Sequence, residues 1–108
     1  MQERPETPFG LKVLDKKSRT VKLSWQAPYD GNSNLTRYVI EFKPTKGSWK
    51  KDIDHVLVPG EEVQARVFSL KPATSYHLRV LAQNAIGQSP PSETVTIETQ
   101  VPTYTKML

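Results

Sequence analysis

Between its turn signals the chain alternates apolar and polar residues with a period of two, and it does so in nearly every segment. That period puts successive side chains on opposite faces of an extended strand, so each run has one face for a core and one for water. Leu11 and Val13 alternate with Lys12; Val21, Leu23 and Trp25 with Lys22 and Ser24; Tyr38, Ile40 and Phe42 with Arg37, Val39 and Glu41. Val63, Ala65 and Val67 repeat the pattern, as do Tyr76, Leu78, Val80 and Ala82 against the outward His77, Arg79 and Gln83, and finally Val95 and Ile97. The run from Ser48-Trp49 to Val58 is more polar, and its Lys50, Lys51, Asp52 and Asp54 suit an edge strand guarded against strand addition. Seven short strands with turns about every 8–12 residues predict an all-β sandwich or small barrel without a helix of useful length. All nine prolines are expected in loops, at strand starts or in the terminal tails, where a missing N–H costs no ladder bond.

With 108 residues there is room for one domain and one core. A domain of this size buries roughly two-thirds of its unfolded surface, enough to fold without staples. There is no cysteine, which excludes disulfides and thiolate metal sites but leaves the compartment open. No stretch reaches the roughly 20 apolar residues of a membrane span, and none has the pattern of a secretory signal. The net charge of +4 is modest and scattered, without the basic stripe and interleaved aromatics of a nucleic-acid binder. The patterned domain is expected over residues 5–100. Residues 1–4, with Met1 as the start of an expressed fragment, and residues 101–108 read as linker ends.

The most specific segment is Leu70-Lys71-Pro72-Ala73-Thr74-Ser75-Tyr76. It resembles the Leu-x-Pro-x-Thr-x-Tyr corner of fibronectin type III domains, in which a leucine plugs the core at a bend, a proline fixes the corner and the tyrosine ties its hydroxyl to upstream backbone. Trp25 matches the large core aromatic of the second strand, and Tyr38-Val39-Ile40-Glu41-Phe42 resembles the family's Tyr-x-Val-x-Tyr third strand. Val80-Leu81-Ala82-Gln83-Asn84-Ala85-Ile86-Gly87 resembles its Val-x-Ala-x-Asn-x-x-Gly run, and Ser89-Pro90-Pro91-Ser92 its lead into the last strand. The resemblance implies a seven-stranded, immunoglobulin-like Greek-key β-sandwich, with Trp25, Tyr38, Leu70, Pro72 and Tyr76 as its structural signature.

A narrower likeness lies in Phe9-Gly10-Leu11-Lys12-Val13, Ala27-Pro28-Tyr29-Asp30-Gly31-Asn32-Ser33 and Lys46-Gly47-Ser48-Trp49. These resemble type III repeats of Dscam (Down syndrome cell adhesion molecule) type neuronal receptors, single-pass proteins of the plasma membrane with extracellular immunoglobulin and type III domains. That resemblance implies an extracellular module supporting homophilic recognition, axon guidance and dendrite self-avoidance, with adjacent domains and like receptors as partners and the membrane reached only through the parent chain. The Asp-Gly-Asn-Ser loop also resembles cytosolic type III repeats of titin-like muscle filament proteins. The Lys-Gly-Ser-Trp segment favours the receptor reading.

Chemistry-bearing candidates are few. His55 and His77 lie in different strands, and His77, out of phase with the core, is expected to face solvent rather than join a metal site. No Gly-x-Ser-x-Gly, phosphate-cradling loop or serine triad pattern occurs, so neither catalysis nor a cofactor is expected. Asn34-Leu35-Thr36 is an N-glycosylation sequon in the loop before the third strand. Basic residues cluster at Lys16, Lys17 and Arg19, and at Lys43, Lys46, Lys50 and Lys51; the second cluster is a candidate contact for sulfated glycans, diluted by Asp52 and Asp54. No Arg-Gly-Asp tripeptide is present. Trp49 has no evident place in a core.

Overall fold

A computed structural model describes residues 1–102, so most of the expected C-terminal linker lies outside the described residues. Seven strands form: β1 (Phe9–Lys16), β2 (Val21–Gln26), β3 (Arg37–Pro44), β4 (Asp54–Pro59), β5 (Gln64–Val67), β6 (Ser75–Gln83) and β7 (Val95–Glu98). They pair antiparallel into a three-stranded sheet, β1-β2-β5, and a four-stranded sheet, β4-β3-β6-β7. The chain changes sheet between β2 and β3, between β4 and β5, and between β5 and β6, the Greek-key sandwich expected of the sequence.

The inward residues of both sheets make one core. Leu11, Val21, Leu23, Trp25 and Val67 face Tyr38, Ile40, Val58, Leu78, Val80, Ala82 and Ile97. Trp25, only 2% exposed, meets Tyr38 edge to face, with ring centroids 5.2 Å apart and planes at 64°. Burial pushes the Tyr38 phenol above its usual pKa, opposed in part by the neighbouring indole. Neither the Tyr38 hydroxyl nor the Trp25 Nε1 has a hydrogen-bond partner among the described residues.

The corner between β5 and β6 is built from the signature segment. Leu70 is buried in the core, and its N–H donates to the Arg19 carbonyl (3.0 Å). The Thr74 hydroxyl donates to the Pro72 carbonyl (2.8 Å), and the Tyr76 hydroxyl accepts the Lys71 N–H (2.9 Å). Ser69 and Ala73 flank this bend with φ of 63° and 51°, left-handed values that cost a non-glycine residue about 1–2 kcal/mol. Across the other sheet, Arg66 of β5 reaches over Lys22 of β2 to Asp15 of β1 (3.0 Å) and also donates to the Thr20 hydroxyl (3.0 Å). The Arg66 hydrogen bond holds the Asp15 carboxyl below its usual pKa.

Three expectations from periodicity fail locally, and one outward residue is more covered than its position implies. Register shifts interrupt β1 on both sides of Lys12–Val13, so Val13 stays at the surface instead of joining Leu11 in the core. Val63 precedes β5 and is exposed; its carbonyl accepts the Trp25 N–H (3.0 Å), so its contribution is backbone. β4 begins only at Asp54, which leaves Trp49, Lys50, Lys51 and Asp52 in the preceding turn. Val39 faces away from the core yet is buried, in register with Leu57 on one side and Leu81 on the other.

Two hydroxyl deletions should behave oppositely under chemical denaturation. Tyr76→Phe strands the Lys71 N–H at a half-buried corner and should cost about 1–3 kcal/mol. Tyr38→Phe removes a buried hydroxyl that has no partner and should be neutral or stabilising. The Asp15 pair should show in acid. A carboxyl whose folded pKa is depressed contributes stability above its unfolded value of 3.8, lost as pH falls through the folded value. Denaturation midpoints of Arg66→Gln should therefore fall less steeply than those of the parent chain as pH drops below 4.

Candidate binding surfaces

One end of the sandwich is organised by a single buried amide. Asn84, 2% exposed at the end of β6, donates through Nδ2 to the Glu3 and Asp30 carbonyls (2.8 Å each). Its Oδ1 accepts the Ile86 and Gly87 N–H groups (2.9 and 3.1 Å). The side chain thus joins the N-terminal lead-in, the β2–β3 loop and the β6–β7 loop. Backbone bonds from Glu3 to Gly31 and from Glu6 to Tyr29 (2.9 Å each) strap the lead-in to the same loop. Gly31 has φ of 73°, and a Cβ there would run into the Glu3 carbonyl, so the strap can lie this close only against glycine.

Asn34 lies exposed on this loop, at the rim of a groove of about 660 Å³ shared with Tyr29, Asp30, Leu35, Gly60 and Glu61. Thr36, the third sequon residue, donates its N–H and its hydroxyl to the Gln83 carbonyl (2.8 and 3.1 Å).

The second surface is the outer face of the four-stranded sheet. Residues 48–52 form a tight turn in which the Asp52 N–H donates to the Ser48 carbonyl (2.9 Å) and the Asp52 carboxylate accepts the Ser48 N–H (2.6 Å). This turn lays Trp49 back across β3 and β6. Arg79 Cζ stands 3.9 Å from the indole centroid and Lys43 Nζ 5.1 Å, while the His77 ring stacks at 6.5 Å with planes at 26°. Arg79 Nε donates to Glu41 (2.7 Å), whose other oxygen lies 3.6 Å from His55 Nε2, and His77 Nδ1 is 2.9 Å from the Thr96 hydroxyl.

The basic cluster expected around the third turn is therefore divided. Lys46, Lys50 and Lys51 are exposed, but Lys43 is only 5% exposed, with its ammonium on the Pro44 and Thr45 carbonyls (3.2 and 3.4 Å). Lys43 keeps its charge, but its ammonium donors are directed at its own turn and little of it is open to a partner. The Trp49–Arg79–Glu41 assembly escaped sequence reasoning because it needs the β3–β6 register, which sets Glu41 opposite Arg79 and Lys43 opposite His77. Of the histidines, His77 is half-covered by Trp49 and His55 is exposed. Among the described residues no three His, Cys, Asp or Glu side chains converge as metal ligands would.

The family model described as "Fibronectin type III domain" matches residues 6–98. The chain belongs to the fibronectin type III family. This type III domain is 58% identical over 99 residues to cell adhesion molecule Dscam1 of Drosophila melanogaster and 36% identical over 97 residues to cell adhesion molecule DSCAM of Homo sapiens. Those matches cover 92% and 90% of the chain but only 5% of either relative, so the domain spans about one-twentieth of their length. Among solved structures, domains A168–A170 from titin superpose with a TM-score of 0.80 at 34% identity, covering 91% of this chain and 33% of that one.

Truncating Arg79 tests the outer-face assembly. Arg79→Ala removes the cation from Trp49 and the donor from Glu41, and should cost about 1–2 kcal/mol. Its steady-state fluorescence should shift to the red as Trp49 gains water, while the buried Trp25 keeps its blue component.

Proposed function

We propose that this type III domain is a non-catalytic extracellular module of a Dscam-type neuronal cell-adhesion receptor, in which it serves as a spacer and a surface for contacts between receptors. The observation that carries the reading is the 58% identity to Dscam1 across 92% of the chain. The placement of the chain ends supports it. Glu3 is held beside Gly31 and Asn84 at one end of the sandwich, whereas the Gln100 N–H donates to the Lys17 carbonyl at the other. The eight residues of β3 between those ends span about 25 Å, so tandem copies would extend a stalk instead of folding it back. Homophilic recognition, axon guidance and dendrite self-avoidance are the processes such a parent would serve, at the plasma membrane on its outer side. Its partners would be neighbouring immunoglobulin and type III domains and other copies of the receptor. Lys46, Lys50 and Lys51 are the residues through which it would touch a sulfated glycan.

The 34% identity to titin domains favours the alternative, a cytosolic structural repeat of a muscle-type filament protein. Asn34 separates the two, because only a chain that enters the secretory pathway meets the glycosylating transferase. Peptide mass spectrometry of the parent from its native cells, with and without glycosidase, should show Asn34 modified. A fully detected but unmodified Asn34 on a parent that surface labelling does not reach would reverse the choice.

A further inference from the structure

We propose that the groove beside Asn34 is a carbohydrate seat, holding the first N-acetylglucosamine of a glycan attached to Asn34 itself. This rests on the secretory reading above and adds a binding role to it. Attachment is an ordinary N-glycosidic transfer. Asn34 Nδ2 bonds to the anomeric carbon of a lipid-diphosphate-linked oligosaccharide on the cell's transferase, the lipid diphosphate leaves with the bonding pair, and the amide loses one proton. Four observations then place the first sugar. The acceptor is on the rim of the groove, so the glycan's origin fixes its occupant. The groove is open to solvent and, at about 660 Å³, has room for a single pyranose ring lying along it. Tyr29 is 46% exposed in the wall, a flat apolar face on which the C–H face of a pyranose ring can lie, and Asp30 and Glu61 supply acceptors for its hydroxyl and amide donors. The backbone under the groove is already fixed: the Tyr29 and Asp30 carbonyls are held by Glu6 and Asn84, and Gly60 lies so close to the Leu35 carbonyl that a side chain would not fit between them. A backbone fixed before the sugar arrives leaves only side chains to be ordered in receiving it.

The test uses the 108-residue chain secreted from eukaryotic cells that make high-mannose glycans, trimmed by an endoglycosidase to a single N-acetylglucosamine. Intact mass reports occupancy, and thermal denaturation compares each protein with its own Asn34→Gln version. The single-sugar form should melt about 4 °C above the Asn34→Gln form. With Tyr29→Ala that difference should vanish, and the Asn34→Gln background reports separately what the truncation costs without a sugar. Glu61→Ala, changing only an exposed side chain, should reduce the difference and provides a second reading if Tyr29→Ala is poorly secreted. An occupied Asn34 with no sugar-dependent rise, or a rise undiminished in both variants, overturns the seat, leaves the receptor reading intact and frees the groove for a neighbouring domain. An unoccupied Asn34 removes the occupant and counts against both.

Discussion

Every buried backbone N–H and C=O that the strand ladders leave over must find another partner, and that constraint governs how this sandwich is finished. β7 pairs with only the first four residues of β6, Ser75 to Leu78. Farther along β6 the neighbouring segment contains Pro90 and Pro91, which carry no N–H. Ser89 and Ser92 fill the gap. Their N–H groups donate to the Ala82 and Val80 carbonyls (2.8 Å each), and their hydroxyl oxygens accept the Ala82 and Val80 N–H groups (2.9 Å each). A pair of side chains thereby extends a sheet edge that a strand cannot complete. Thr99 does similar work at the far end: its hydroxyl donates to the Lys71 carbonyl (2.6 Å) and accepts the Thr74 N–H (2.9 Å). Stripping such an acceptor leaves a buried donor unsatisfied, at a cost of about 1–3 kcal/mol. With no disulfide available, Asn84, Ser89, Ser92, Thr99 and Tyr76 hold the irregular parts to the regular ones.

The architecture was legible because alternation is a local code. Val21, Leu23 and Trp25, or Tyr76, Leu78 and Val80, announce their inward face without reference to any other strand, and all six are buried. The code fails where the backbone slips or where pairing decides burial. Two register shifts in β1 put Val13 outside, and nothing in Leu11-Lys12-Val13 marks them. Val39 reads as an outward residue and is one, but its cross-strand neighbours Leu57 and Leu81 make its surroundings apolar. The sequon at Asn34 could be read from three letters, whereas the groove beside it needed the approach of Gly60 and Glu61 from the far side of β4. Ser89-Pro90-Pro91-Ser92 was recognisable as a family pattern, yet its physical purpose emerges only with β6 alongside.

The outer face of the four-stranded sheet combines two devices usually found apart. Around Trp49 the cations of Arg79 and Lys43 lie against an aromatic face; Arg79 is paired with Glu41, and the Lys43 ammonium is hydrogen-bonded to turn carbonyls. Toward the β4 edge the same face turns apolar, and Leu57 is 61% exposed. The charges that a reading of the sequence would use to guard this edge, Lys50, Lys51 and Asp52, sit in the turn before it. The edge strand itself carries only Asp54 and His55.

The strapped lead-in bears on how the domain would carry tension. β1 runs from the end where Glu3 is held toward the end where Gln100 is held, and β7 runs in the same sense. A pull applied between the chain termini is therefore directed along these strands, so it slides β1 past β2 and β7 past β6 and loads many ladder bonds together instead of unzipping them one by one. β1 and β7 belong to different sheets, so the force must also cross the core through side-chain packing. The first element to meet the load is the strapped lead-in, where the bond from Asn84 to the Glu3 carbonyl and the backbone bonds from Glu3 to Gly31 and from Glu6 to Tyr29 have to part before tension reaches β1.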